Sequence, residues 1–342
     1  MAKRPTVALC GAGIIAGAHA TAAASLGVEV SAVASRTPER ASTLVARVGG
    51  RVVRYSDLPA GADIVVVETP PQCHHRDVLQ ALRAGAAVVV EKPLCTTLEQ
   101  ADEIVALAEA NRDRLLYAEN LAYAPVVGEF VRRVRALGTL THLEVRALNP
   151  LPNRGGFTDD DWGGGALFDL GVHPLAVAVL AAAPALPRLV QARLEGSRSG
   201  RHGTDELAEV VVQFDSGLRA RVISSYRGGD TPQWDAQAAS ETGVVRAELL
   251  PQPHLEVNGT EVALPSPTGK VPALEHYGYR GEWAAFLQNL ASGTRPVMDA
   301  AFGRMMLDIV CAAYTSARTG APEATPFTGP RDRTPLQLWR GG

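Results

Sequence analysis

Over its first third the chain alternates short apolar runs with stretches of helical period. "TVALC" (6–10) has the length and continuity of a buried strand, a glycine turn follows, and 15–26 carries a helical apolar pattern. "VEVSAVAS" (28–35) reads as the next strand. "TPERASTLVARV" (37–48) reads as a helix with Thr37 at its N-cap and Pro38 at its first position, where a missing N–H costs nothing. "DIVVVETP" (63–70) and "AAVVVEKP" (86–93) are further strands, separated by the helix "CHHRDVLQALRAG" (73–85) that Gly85 closes. A helix over 97–111, with Thr97 and Gln100 at capping-box spacing, leads to a last strand in "RLLYAEN" (114–120). Repeated strand–helix units of this length build a parallel, doubly wound sheet with right-handed crossovers.

The pattern changes after about residue 122. A helix over 125–137 precedes the strand "THLEVRALN" (141–149), a Gly/Asp/Pro-rich loop (149–165) and a helical stretch to about 183. Alternating strands follow in "RLVQARLEG", "ELAEVVVQF", "LRARVISSY", "WDAQAAS" and "GVVRAEL", with tight turns such as Asp215-Ser216-Gly217 between them. Helices over 279–292 and 299–318 close the pattern. The expected fold is α/β with two domains. Residues 1–122 form a Rossmann domain, and 123–342 an α+β domain on a large open, mostly antiparallel sheet.

Composition narrows the partners. The 342 residues are 46% hydrophobic and 20% charged, an ordinary globular balance, and the net charge of -3 with dispersed Lys and Arg argues against nucleic acid or an anionic membrane. The apolar run "PLAVAVLAAAPALP" is too short and proline-rich to span a bilayer. Four cysteines without a C-x-x-C pair suit a reducing, cytoplasmic setting. No metal site is expected, because Cys73, His74 and His75 lack a carboxylate partner. The basic, apolar N-terminus resembles an export signal, but Gly11, Gly13 and Gly17 fall where a dinucleotide loop needs them.

Gly11-x-Gly13-x-x-Ala16 lies directly after a strand and opens a helix. The first glycine makes the turn, and the second lets a pyrophosphate approach the backbone at the helix N-terminus, so Gly11, Gly13, Ile14 and Ile15 are cofactor candidates. The bland reading is a plain glycine turn. An NAD site usually carries Asp or Glu at the end of the second strand; here stand Ser35, Arg36 and, one turn on, Arg40. Hydroxyls and guanidinium groups suit a 2′-phosphate, which favours NADP over NAD. Read blandly, the two arginines are solvated surface charges.

"GAGIIAGAH", "ETPPQCH", "VVVEKPLCTT" and "GGGALFDLGVH" together resemble the Gfo/Idh/MocA family of NAD(P)-dependent oxidoreductases, densely over 6–180. The resemblance implies hydride transfer between a nicotinamide and a secondary alcohol or ketone of a sugar, cyclitol or related polyol. It implies that Lys92 contacts the reacting oxygen, that His173 is the acid/base, and that Asp169 helps hold Lys92 and the substrate. Glu91, Thr69, Pro70 and His74 then stand near the nicotinamide, and His19 matches a family histidine on the first helix. A cis Lys92–Pro93 peptide is implied as well. Many relatives carry Arg where Ala122 stands, so one polar substrate contact is missing here.

Taken as a strand-end pair alone, Glu91 and Lys92 would be a salt bridge. Asp169 and His173 are i and i+4, so one helix would place both on one face. Pro174 is expected to kink that helix or restart it after His173, and glycines 163–165 suit close approach of a ligand. Asn120, Tyr123, Asn153, Arg154, Trp162, Tyr279 and Arg280 are candidates for a polar substrate pocket, or else loop and rim residues. A homodimer or homotetramer through the C-terminal sheet is expected. Two other functions fit the same fold: redox-assisted glycoside hydrolysis with tightly held NAD, and a non-catalytic dinucleotide sensor.

Overall fold

A computed structural model describes residues 4–153, 156–200 and 202–341, so the candidate Arg154 lies outside the described residues. The chain begins β1 (Thr6–Cys10), α1 (Ile14–Ala24), β2 (Glu29–Ala34), α2 (Pro38–Val48), β3 (Arg51–Val53) and β4 (Ile64–Val67). It continues with α3 (Pro71–Arg83), β5 (Ala87–Glu91), α4 (Leu98–Ala110) and β6 (Leu115–Ala118). The parallel sheet runs β3-β2-β1-β4-β5-β6, and its order reverses between β1 and β4. The Val-Val-Val runs of β4 and β5 are buried throughout, as strands covered on both faces must be. β3 escapes the sequence pattern because it is a short edge strand whose residues are largely exposed. β4 stops at Val67, three residues short of the expected end, and the Glu68 N–H still donates to the Cys10 carbonyl at 3.1 Å.

Next come α5 (Pro125–Ala136), β7 (Leu140–Leu148), α6 (Ala166–Asp169), α7 (Val172–Ala182), β8 (Pro187–Gly196), β9 (Asp205–Phe214) and β10 (Arg219–Ser225). β11 (Gln233–Ser240), β12 (Gly243–Leu250), β13 (His254–Val257), β14 (Thr260–Glu261), α8 (Pro272–His276) and α9 (Tyr279–Ser292) follow. α10 (Ala300–Thr319), β15 (Glu323–Ala324) and α11 (Pro335–Arg340) complete the chain. The nine-stranded sheet runs β14-β13-β12-β11-β7-β10-β9-β8-β15 and is antiparallel except for β7 against β10. α5 and α7 pack on it, over the buried alternate residues of β7 and β12. The intervening positions pair charge across strands, Arg146 with Asp235 at 2.8 Å and Arg221 with Glu144 at 2.7 Å.

The chain divides into two compact units, one of 1–95, 99–120 and 268–304, the other of 96–98, 121–267 and 305–342. The sequence placed one cut at 122. A single cut cannot express a chain that returns: α9 packs on α1, where Trp283 meets His19. Among the described residues no single helix is long and apolar enough to cross a membrane.

One expectation for the second unit fails. The helix breaks before His173 rather than after it, with the segment Asp160–Asp169 and α7 bent by 45°. A Cβ on Gly171 would stand 2.6 Å from the Leu167 carbonyl, so that tight corner admits no side chain. Pro174 falls in the first turn of α7, where a missing N–H costs nothing, and Asp169 and His173 sit on different helices. Packing accounts for two glycines of the run 163–165. A Cβ on Gly165 would stand 2.1 Å from the Asp205 carbonyl oxygen, and one on Gly164 2.4 Å from Phe168 Cβ.

Asp205 explains how so short a helix holds. Its buried carboxylate accepts from the N–H groups of Gly165 (2.9 Å) and Leu167 (2.8 Å), capping α6 from β9, and from the Tyr314 hydroxyl. Asp205→Ala leaves the Leu167 N–H and the Tyr314 hydroxyl without this acceptor, the Gly165 N–H keeping the Tyr314 oxygen at 3.0 Å, and is expected to cost about 3 kcal/mol. Asp205→Asn, which keeps one acceptor oxygen, should lose less. Urea denaturation of both variants measures the difference.

Candidate active site

Open parallel sheets bind ligands beyond the strands' carboxyl ends where the order reverses, here between β1 and β4. Gly11 has φ +140°, and a Cβ there would stand 2.8 Å from both the carbonyl oxygen and Cγ of Glu68. Gly13 is the N-cap of α1, lends it no side-chain cap, and a Cβ on it would meet nothing within 4 Å. The first-turn N–H groups of α1 thus border open space, which fits a pyrophosphate held by backbone donors and the helix dipole. Ile14 and Ile15 flank that space, 63% and 38% exposed.

At the end of β2 the Ser35 hydroxyl accepts the Thr37 N–H at 3.1 Å, so Thr37 occupies the N-cap of α2 without using its own hydroxyl as a cap. The Arg36 N–H donates to the Tyr55 hydroxyl at 3.1 Å. The guanidinium groups of Arg36 and Arg40 are exposed and, among the described residues, have no ion-pair partner.

Thr69, Pro70 and His74 make one bracket. Thr69 Oγ1 donates to Asp77 at 2.8 Å, and Pro70 is the N-cap of α3. Buried His74 sets Nδ1 2.8 Å from the Pro93 carbonyl and Nε2 2.6 Å from that of Thr69, tying together the loops that follow β4 and β5. Burial lowers its pKa, while the two carbonyls favour a protonated ring. Both ring nitrogens are engaged by backbone, so His74 positions those loops.

The Lys92–Pro93 peptide is cis. Trp283 Nε1 donates to His19 Nδ1 at 3.1 Å; an indole only donates, so the ring proton of His19 sits on Nε2. Nε2 donates in turn to Glu91 Oε1 at 3.0 Å, and Glu91 Oε2 accepts the Lys92 N–H at 3.1 Å. The backbone that carries Lys92 is thereby fastened to α1 and α9. Tyr279 lies edge-on to His19 at 5.4 Å, and Asn120 Nδ2 donates to the Tyr277 carbonyl at 2.6 Å.

Glu282 is fully buried beside His19, with no hydrogen bond to either carboxyl oxygen. Burial first, then Glu91 and Glu119, push its pKa well above the carboxylate range. It therefore keeps its proton when folded and loses it when unfolded from about pH 4 upward. The unfolded state binds fewer protons over that span, so stability falls as pH rises, by up to about 1.4 kcal/mol per unit until the folded group titrates. Glu282→Gln is expected to remove this contribution, leaving the variant the more stable protein in alkali. Urea midpoints across pH check it.

In the second unit the Tyr226 hydroxyl donates to Asp169 Oδ2 at 2.6 Å, deep in the protein. Burial, then Asp169, push the Tyr226 hydroxyl well above its usual pKa, so it remains a donor. The His173 ring lies 5.2 Å from that of Trp234, whose Nε1 donates to Asn149 at 2.6 Å. His173 also borders an apolar cavity with Phe130, Val177 and Trp234. Trp162 stacks on Phe157 at 4.7 Å, and its buried Nε1 has no partner. Asn153 is exposed, and Tyr123 ends the 3-10 turn Asn120–Tyr123. Lys92 belongs to the first unit, Asp169 and His173 to the second.

Sequence reading missed Glu68, Tyr226, Trp234, Glu282 and Trp283. One signal was available for Glu68: "VVVE", "VVVE" and "LYAE" end three successive strands in a glutamate.

Residues 6–119 match the family described as "Oxidoreductase family, NAD-binding Rossmann fold", and 132–264 match the "GFO/IDH/MocA C-terminal domain". A dTDP-3,4-didehydro-2,6-dideoxy-alpha-D-glucose 3-reductase from Saccharopolyspora spinosa is 33% identical over 57% of this chain and 59% of its own. A D-xylose 1-dehydrogenase (NADP(+)) from Haloferax volcanii is 27% identical over 86% of this chain and 91% of its own. The chain spans 61% and 59% of the length of the first two curated relatives it matches. In fold it is similar to a levoglucosan dehydrogenase solved with NADH and L-sorbose, with a TM-score of 0.85 at 18% identity, covering 95% of this chain and 100% of that one.

Proposed function

We propose that this chain, which belongs to the Gfo/Idh/MocA oxidoreductase family, moves a hydride between a nicotinamide dinucleotide and a secondary alcohol or ketone of a sugar, cyclitol or related polyol. One observation carries the reading: a single Rossmann unit presents an open, uncapped glycine loop and, at the end of β5, a lysine whose backbone is fastened by Glu91 and His19. When bound, the dinucleotide supplies or accepts the hydride. Lys92 binds the reacting oxygen and stabilises its developing negative charge. His173 takes the hydroxyl proton in oxidation and returns it in reduction. Asp169, held by Tyr226, orients the polar side of the substrate.

The same reading takes NADP as the preferred cofactor, with Ser35 and the guanidinium groups of Arg36 and Arg40 around its 2′-phosphate. NADP(H) is expected to bind at least several-fold tighter than NAD(H). Arg36→Asp should reverse that order, since a carboxylate accepts from a ribose hydroxyl and repels a phosphate. Titration of both proteins with both cofactors decides it, and equal affinities in the wild type would overturn the preference.

Self-association through the nine-stranded sheet belongs to the same proposal, with sedimentation as its measurement. The overall test is to purify the protein, identify any retained nucleotide, and screen inositols, aldoses and keto-sugars with both cofactors.

A further inference from the structure

β4, β5 and β6 lie side by side; Glu91 ends β5, and Glu68 and Glu119 directly follow β4 and β6. Val67 pairs with Val90, so Glu68 and Glu91 are level on neighbouring parallel strands, about 5 Å apart in backbone. Two ionised carboxylates so placed repel each other, and the less well solvated one keeps its proton.

The structure separates the two. Glu91 has the His19 imidazole on one oxygen and the Lys92 N–H on the other. Both carboxyl oxygens of Glu68 are shut off from solvent and neither has a hydrogen-bond partner. The ionisable groups within electrostatic reach of Glu68 are Cys10 from β1, Glu91 from β5 and Tyr279 from α9, all acids. Beyond them stand Glu119, Glu282 and His19, with Lys92 next to Glu91, and the His19 ring is already committed to Glu91 and Trp283. A charge at Glu68 would be both desolvated and unpaired.

Its position gives the neutral carboxyl a use. Its Cγ lies where a Cβ on Gly11 would collide, so the side chain rests against the first glycine of the loop that fits the pyrophosphate. A carboxylate there would repel an anionic ligand across the loop, whereas the enclosed neutral acid does not.

We propose that Glu68 is a protonated carboxyl packed against the dinucleotide loop, whose ionisation weakens binding of the cofactor and so couples cofactor affinity to pH. The proposal rests on the dinucleotide-binding reading above. Only the proton is at stake: Glu68 holds it in the complex, and above its titration point binding takes one proton up from solvent.

The test is binding of NADPH and of NADH, followed by fluorescence from about pH 6 to about pH 10, for the wild type and Glu68→Gln. Wild-type Kd is expected to rise with pH, by up to about tenfold per unit beyond the titration point. Glu68→Gln, neutral at every pH, is expected to give a flat profile near the wild type's low-pH affinity. A wild-type Kd unchanged to about pH 10, or a variant that keeps the wild-type slope, would overturn the proposal. Failure of both proteins to bind either dinucleotide at any pH would instead overturn the dinucleotide reading beneath it.

Discussion

Lys92→Ala is expected to lower kcat by about a hundredfold or more while changing dinucleotide affinity only a few-fold. The asymmetry follows from where the two jobs are done. The pyrophosphate is assigned to the backbone N–H groups at the start of α1, which no side chain caps. The charge that grows on the substrate oxygen is assigned to the ammonium of Lys92, on a strand end that Glu91 and His19 fix in place. Removing the ammonium takes away stabilisation needed in the transition state and leaves the cofactor's own contacts standing. Steady-state kinetics beside direct dinucleotide titration separates the two effects. Near-normal turnover in Lys92→Ala would move the chain from enzyme to dinucleotide sensor.

His173→Ala is expected to cost a comparable factor, about a hundredfold, with loss of the pH dependence that an imidazole gives to proton transfer. The ring leans on Trp234, itself anchored to Asn149, so its orientation is set by packing. The double variant should be little worse than either single one if ammonium and imidazole serve one step. Asp169→Asn should be milder, shifting the pH profile more than the rate, because Asp169 sits in the Tyr226 hydrogen bond. Rates across pH for the three single variants and the double test this set. Independent, multiplying losses would show that Lys92 and His173 do not act together.

The parallel sheet was legible because buried strands read as continuous apolar runs and glycine and proline punctuate them; β1, β4, β5 and β6 all lie within the expected stretches. β3 was missed because an exposed edge strand has no such signature. The second sheet was legible by alternation, but the break between Asp169 and His173 was not. Spacing of i and i+4 suggests one helix face, and only the lack of room at Gly171 forces the corner. Nor does sequence say what packs against a glycine run, and here Asp205 stands against Gly165 and Phe168 against Gly164. Short motifs pointed to Lys92, Asp169 and His173. The groups around them, Tyr226, Trp234, Glu282 and Trp283, are distant in sequence, and no local pattern announces a contact such as that of Trp283 with His19.

The central claim, hydride transfer to or from a carbinol carbon, is tested most directly by following the hydrogen. Inositols, aldoses and related polyols carrying deuterium at the carbinol carbons are incubated with the protein and oxidised dinucleotide, and the nucleotide is analysed by mass spectrometry. The account predicts that at least one polyol delivers its deuterium to the nicotinamide ring and that Lys92→Ala delivers it at about a hundredth of the rate or less. A dinucleotide that binds yet stays unlabelled across the whole panel would contradict it.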